Sequence, residues 1–594
     1  MDLGRGEMTT EPVRTVAAVL ERFQSAAFSD FAAAFNEGQY VLWLGSGISR
    51  ERVPNVYELL ERVVEHLRSN IIDGKTDCVY HAALDEVLRL TGMTREELDS
   101  IDLSMTVGDW PLKDRMVSTL VTKYSQVLEI AVGDQNPDDY LVWTGLDVPT
   151  TYGSPGLEPD VEHYCIAILM LEGLVTSGVT ANWDGLIEKA LDELTPAFGS
   201  LVRVVVKGDD FRIAGRRIEV IKLHGCAVRA RADEAGYRGL LVARESQISG
   251  WTEQPENRPM RKRLEVLYAD RLTLMLGLSA QDANLHTMFA AAAQDLARPW
   301  PASPPAVVLS EERLEPYHRI LLKSTYGSNH QGNADAIARS ALLGAYGKPT
   351  LLALVLGSLT DKLSYLIEHV VGTSWGPAAV KQLQTDLLGL RNSAATHADP
   401  DNYEALEHSE IAQFQREFLA RLIDAVNSAL TVFRTGCIPS HDERRYDPLS
   451  DRPANQAVHN ADFPSKQFGW FGVALALIGH GLAQGDWLAV PGNSKDPGDG
   501  VVRLVTGQQD ARVFLVKDAT TSTKLELQGS FDDGDENVLI VIADEESPRF
   551  TRSPKPRFGR DGKIGPGRFS VASSISDTDS VDDLYEAFRL AGGF

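Results

Sequence analysis

The residues with the capacity for chemistry fall at the ends of short apolar runs. In "YVLWLGSGISRERVPNVYELLERV", Tyr40 to Val63, a greasy stretch runs into Gly45, Ser46, Gly47 and Ser49 and then into an amphipathic helix. Glycine lets backbone N–H groups approach an anion closely, and the following helix presents its positive end, so the turn suits a ligand with phosphates. Plain structural punctuation explains such a turn as well. Three further runs end in the same style. "VTANWDGLIEKAL" places Asn182 and Asp184 just past one run, "IEVIKLHG" ends in His224, and "LMLGLSAQDANL" ends in Gly277 and Ser279 with Asp282 and Asn284 following. If these runs are strands of one open α/β sheet, their ends bring a glycine turn, an amide, an imidazole and a hydroxyl to one crevice. Each side chain also has a structural reading. Asn182 suits a helix N-cap, His224 a hydrogen-bonded core position, and Asp184 the positive end of a helix dipole.

The elements that must position them are legible from periodicity. Residues 12 to 37 show helical spacing, and strand signals then recur in "LVTSGVTAN", "LVRVVVKG", "IEVIKLHG", "RLTLMLGLS" and "PAVVLS" with helical segments between most of them. That alternation predicts an α/β fold with a Rossmann-like, mostly parallel sheet. Between 60 and 170 the pattern mixes helical pieces with "YLVWTGLDVPTTYGSPG", which reads as an insertion or lid over the sheet edge. After about 333 the strand signals give way to long helical periodicity. Beyond "CIPSHDERRYDPLSDRPAN" an apolar helix precedes "VVRLVTG", "ARVFLVKD", "KLELQGS" and "VLIVIADE", all read as strands, with "DDGDE" from Asp532 as a hairpin turn. The expected division is residues 15–330 for the nucleotide-binding unit, 331–436 for a helical domain and 455–594 for a C-terminal α/β domain.

A chain of 594 residues is long enough for several cores, and 43% hydrophobic with 24% charged residues is an ordinary globular balance. The net charge of −25 argues against non-specific coating of nucleic acid, leaving any nucleic-acid contact to a local patch. Four cysteines, Cys78, Cys165, Cys226 and Cys437, include no C-x-x-C pair, which indicates neither a disulfide framework nor a cysteine-built metal site. No apolar leader opens the chain, and the run "LLALVLGSL" from Leu351 is too short to span a bilayer, so a cytoplasmic protein without membrane contact is expected.

Four motifs in order, "GSGIS", "TANWDGL", "KLHG" and "GLSAQDANL", resemble those of sirtuin-like NAD-consuming domains over roughly residues 20 to 330, especially the subgroup found in bacterial antiphage defence proteins. The resemblance implies NAD as substrate, with Asn182 positioning water and His224 acting as general base. It implies phosphate binding by Ser46, Gly47, Ser49 and Ser279, ribose binding by Asp184 or Asn284, and Gly45, Gly277 and Asp282 as further cofactor-binding positions. Two departures qualify it. After His224 only Cys226 stands where protein-deacetylating members carry four zinc-binding cysteines, so zinc is not expected, and "RERVPNVYELL" keeps Pro54 but loses the Asp-Phe-Arg run. Both departures match the defence subgroup, which looks like NAD hydrolases. The same resemblance implies control by assembly into a homo-oligomer or by a HerA-type hexameric ATPase.

Two other features stand apart. Arg391-Asn392, followed by His397, resembles the Arg-x4-6-His motif of HEPN ribonucleases, with a helical scaffold as the simpler reading. Arg549, Arg552, Lys555, Arg557, Arg560, Lys563 and Arg568 collect among prolines and glycines, as a solvated loop or a contact for an acidic partner. The alternatives to NAD hydrolysis are therefore a ribonuclease in the helical part, or a scaffold that senses NAD or ADP-ribose without turnover.

Overall fold

The computed structural model describes residues 12–594 except 73–76, 297, 373, 440–444, 458–464, 493–495, 508 and 545–564. The leading helical stretch is two helices, Val16–Gln24 and Ser29–Asn36, since the Ser25 N–H turns back to Arg22 and breaks the run. They feed β1 (Tyr40–Leu44), buried along its whole length. β2 (Ser177–Thr180), β3 (Val202–Val205), β4 (Ile218–Lys222), β5 (Leu272–Leu276) and β6 (Val307–Ser310) complete a parallel sheet in the order β3-β4-β2-β1-β5-β6. This is the Rossmann-like α/β sheet that the alternation predicts. Helices cover both faces, which is why the strands read as nearly unbroken apolar runs. The strand order reverses between β1 and β5, the place where open α/β sheets form their crevice.

The stretch between 56 and 153 is a helical lobe, with Leu60, Val63, Val87, Leu120 and Val127 in its core. Leu141, Val142, Leu146 and Val148 of the expected insertion belong to that core, together with Ala227, Ala230 and Leu241 from beyond β4. The lobe is therefore packed onto the segment that follows His224.

Helices do take over after 330, in Gly347–Val371, Pro377–Thr396 and His408–Thr435. They bury no separate core. Leu351, Leu354 and Val355 are buried with Val19, Leu42 and Ile168 of the N-terminal unit, whereas Leu366, Ile367 and Val370 are buried with Phe468 and Val513 of the C-terminal unit. One helix thus serves two cores. The "LLALVLGSL" run continues into this 25-residue helix, which by length and composition is sufficient to cross a bilayer, but most of its apolar window is buried inside the protein. An ion pair pins it there. Lys362 Nζ donates to Glu172 Oε2 (2.6 Å) and to Ser450 O (2.8 Å), while Glu172 Oε1 accepts from Tyr446 Oη (2.6 Å) and Leu449 N (3.0 Å).

The C-terminal unit follows the Ser465–Gln484 helix. It holds β7 (Leu488–Pro491), β8 (Val502–Val505), β9 (Asp510–Val516), β10 (Val538–Ile542) and β11 (Gly567–Ser570) in the order β11-β10-β9-β8-β7. Two expectations fail here. "KLEL" is part of the Ala519–Leu527 helix, started by Asp518 accepting the Thr521 N–H at 2.8 Å, with Gln528 at its C-cap. Its alternation did not mark two faces of a strand, because Leu525 is fully buried and Leu527 is 82% exposed. "DDGDE" is no hairpin either, since it joins that helix to β10, which runs parallel to β9. Asp535 there accepts from Asp532 N (2.9 Å) and Arg512 Nη2 (3.1 Å).

Candidate active site at the carboxyl edge of the parallel sheet

Strand register sets the geometry. Leu44, Thr180, Lys222, Leu276 and Ser310 form one row across β1, β2, β4, β5 and β6. One residue beyond that row stand Gly45, Leu223, Gly277 and Glu311. Two residues beyond stand Ser46, Asn182 and His224. Asn182 and His224 therefore leave neighbouring strands at the same level of the same edge. The Asn182 Nδ2 lies 3.1 Å from Gly45 O and 3.3 Å from Ser49 Oγ. A carbonyl oxygen only accepts, so the amide NH2 must face Gly45, and Oδ1 is turned the other way. Among the described residues nothing donates to that Oδ1. The side chain is not an N-cap. The helix Leu186–Leu194 has Gly185 at its N-cap, and Asp184 just before it accepts the Leu186 N–H on Oδ1 at 3.1 Å.

His224 Nε2 lies 2.9 Å from Asp282 Oδ2. Strands β2 and β1 separate β4 from β5, so the loop after β5 folds back across the edge to make this contact. Burial pushes the Asp282 carboxyl up, but the His224 ring and the Asn284 N–H outweigh it and hold the group below the usual carboxylate range. Asn284 is itself buried and donates to Ile248 O at 2.9 Å. Asp184 is buried too, with Lys222 Nζ donating to its carbonyl and to Glu188 Oε1 (3.0 Å). Asp184 and Asn284, expected to meet ribose, have their polar groups engaged within the fold, and Asp282, expected at the cofactor, faces His224.

The glycine turn works differently from the expectation. Gly45 N–H donates to Leu276 O and Gly47 N–H to Gly277 O, both at 3.0 Å, so neither amide is free for an anion. The physical need for glycine is close approach of two loops. A Cβ on Gly45 would sit 2.2 Å from Gly277 O, one on Gly47 would sit 2.6 Å from Gly277 Cα, and Gly277 has φ +58°. Exposed Ser46 and Ser279 keep hydroxyls on this edge. Ser49, also expected on phosphate, is fully buried with Oγ 3.1 Å from His163 Nε2.

Several residues here have no counterpart in the sequence reading. Glu311, one residue past β6, has its carboxyl pushed up to about 7 by burial, against the opposing pull of Arg50 and the Gly277 N–H. Asp160, 1% exposed, caps the Val161–Leu171 helix and faces three cations, Arg52 (3.5 Å), Lys348 (3.6 Å) and Arg416 (3.4 Å). Burial pushes its carboxyl up, and Lys348, the Val161 N–H, Arg52 and Arg416 bring it below the ordinary range. The D-x-x-H pattern before an apolar run is the sequence signal that marks Asp160 and His163.

Residues 176–330 match the SIR2-like domain family. The match begins at β2 and takes in Asn182, His224, Gly277, Ser279 and Asp282, but not the Gly45–Ser49 turn. SIR2-like domains use NAD, and the match is compatible with NAD-related activity at the level of that family. No curated protein matches the chain. Among the described residues no group of three His, Cys, Asp or Glu side chains is placed to hold a metal ion.

The other constellations lie elsewhere. Arg391 and His397 sit at the end of the Pro377–Thr396 helix, six residues apart and so about 120° apart around its axis. Arg391 donates to Asn392 Oδ1, and His397 Nδ1 is 2.7 Å from Ser393 O. Of the basic run, Arg549, Arg552, Lys555, Arg557, Arg560 and Lys563 lie outside the described residues, whereas Arg568 is on β11, 3.8 Å from Glu526.

Proposed function

We propose that the chain hydrolyses NAD to nicotinamide and ADP-ribose. The observation that carries this reading is the common level of Asn182 and His224 beyond paired strands, with the Asn182 Oδ1 uncommitted and the His224 ring backed by Asp282. Cleaving the N-glycosidic bond takes the ribose through an oxocarbenium-like state, from which nicotinamide departs with the bonding electrons. Asn182 Oδ1 accepts a hydrogen bond from the attacking water and aims its oxygen at C1′. His224 takes the proton that water loses, directly or through a ribose hydroxyl, and the Asp282 carboxylate stabilises the imidazolium that forms. Ser46 and Ser279 offer hydroxyls to the pyrophosphate.

The biological setting we propose with it rests on the four-motif resemblance to the defence subgroup. It is an antiphage effector that depletes cytoplasmic NAD and is held silent by homo-oligomerisation or by a HerA-type hexameric ATPase. The test incubates purified protein with NAD, alone and with a co-encoded ATPase, and measures nicotinamide. Release by the wild type that disappears in Asn182→Ala and His224→Ala is expected. No release in any condition, or variants as active as the wild type, rejects the reading.

A further inference from the structure

We propose that His163 and Ser49 form a positioning relay that locks the Asn182 carboxamide with its oxygen outward, a role that rests on the hydrolase reading above. His163 is the third residue of the Val161–Leu171 helix and is fully buried. Its Nδ1 accepts the Asp160 backbone N–H at 3.0 Å. A ring nitrogen that accepts carries no proton, so in the neutral imidazole the proton is on Nε2. Burial keeps the ring neutral by driving its pKa down to about 4. Nε2–H therefore donates to Ser49 Oγ, 3.1 Å away, and fixes the hydroxyl that stands 3.3 Å from Asn182 Nδ2.

The relay has one direction. Ser49 Oγ and Gly45 O both present lone pairs to the Asn182 amide nitrogen. Flipping the carboxamide would set Oδ1 against the Gly45 carbonyl, acceptor against acceptor, and would turn the NH2 toward the place where water is to be held. His163 touches neither NAD nor water in this scheme, so it is a positioning residue. Its anchor, Asp160, is clamped by Lys348 and Arg416 from helices that lie outside the 176–330 match.

The test compares Ser49→Ala, His163→Leu, His163→Gln and the double variant Ser49→Ala/His163→Leu. Glutamine accepts and donates over nearly the same span as the imidazole, so it is expected to retain most turnover. Ser49→Ala and His163→Leu should each lower kcat tenfold to a hundredfold with KM for NAD within twofold, and the double variant should lose no more than the worse single. Unchanged kcat in Ser49→Ala, additive losses, or a rise in KM at constant kcat would overturn the relay. Ser49→Ala removes a single oxygen, so it carries the test alone should His163→Leu fail to fold. A second readout needs no activity. With selectively 15N-labelled asparagine, the Asn182 side-chain NH2 resonances, assigned by their loss in Asn182→Ala, should move in Ser49→Ala. Resonances that stay in place sink the relay whether or not NAD is cleaved, whereas absence of nicotinamide from the wild type counts against the hydrolase reading.

Discussion

Two adjacent buried groups on the Val161–Leu171 helix make opposing contributions to stability as pH changes. Burial lowers His163 from its ordinary 6.5 to about 4, with Asp184 and Asp160 pulling up and Arg52 and Lys348 pulling down. Burial raises Glu162 from its ordinary 4.5 to about 7, with Lys348 opposing and Asp160 and Glu51 reinforcing. At about 1.4 kcal/mol per pKa unit, each displacement is worth about 3 kcal/mol. The signs are opposite. His163 contributes stability that is present above pH 6.5 and lost as pH falls through about 4, because the unfolded chain binds the proton first. Glu162 contributes stability that is present below pH 4.5 and lost as pH rises through about 7, because the folded chain keeps the proton longer. Across the overlapping window the two slopes cancel, and replacing either group exposes the other. His163→Gln should lose stability relative to wild type as pH rises from about 4.5 to 6.5, with a slope near 1.4 kcal/mol per pH unit at mid-window. Glu162→Gln should gain it over the same range. Urea unfolding midpoints of each variant, taken as differences from wild type at each pH, provide the measurement. A difference that stays constant with pH in His163→Gln, or one that slopes the same way in both variants, refutes the reasoning.

The loop contact behind Gly45 makes a sharp prediction, because a Cβ there meets Gly277 O at 2.2 Å. Gly45→Ala should cost about 3 kcal/mol or more and lower Tm by several degrees, whereas Gly199→Ala, with nothing within 4 Å of its new Cβ, should be neutral or slightly stabilising. In the buried pair, Lys362→Met leaves the Glu172 carboxylate without its cation and should cost about 3–5 kcal/mol in unfolding free energy, with part of that recovered in Lys362→Met/Glu172→Gln.

The parallel sheet was readable because its strands are short apolar runs separated by helical segments, and β1, β2, β4 and β5 are followed within two residues by Gly45, Asn182, His224 and Gly277, which the register gathers at one edge. The placement of Asn182 and His224 at that edge was readable for the same reason. The glycine turn was recognised as special, but its cause was not, since the residue it must approach, Gly277, lies 232 positions further along the chain. Ser49 looked like a phosphate ligand because nothing local shows that its hydroxyl turns inward to a histidine on another helix. The boundary near 330 marks a real change of pattern, yet the Gly347–Val371 helix is apolar on nearly all sides because it is wanted by two cores. Alternation misled at Leu525 and Leu527 because burial of one leucine and exposure of the other needs no strand when Asp518 starts a helix.

That doubly buried helix acts as a lever through the molecule. Twenty-five residues make a rod roughly 37 Å long, so a tilt of about 5° about its middle carries each tip by roughly 1.6 Å. Lys348, near the first tip, sits 3.6 Å from Asp160, and the second tip is gripped by the C-terminal sheet and its helices. A binding event confined to that remote sheet would therefore tug on Asp160, whose backbone N–H holds His163, without any ligand approaching the carboxyl edge of the parallel sheet.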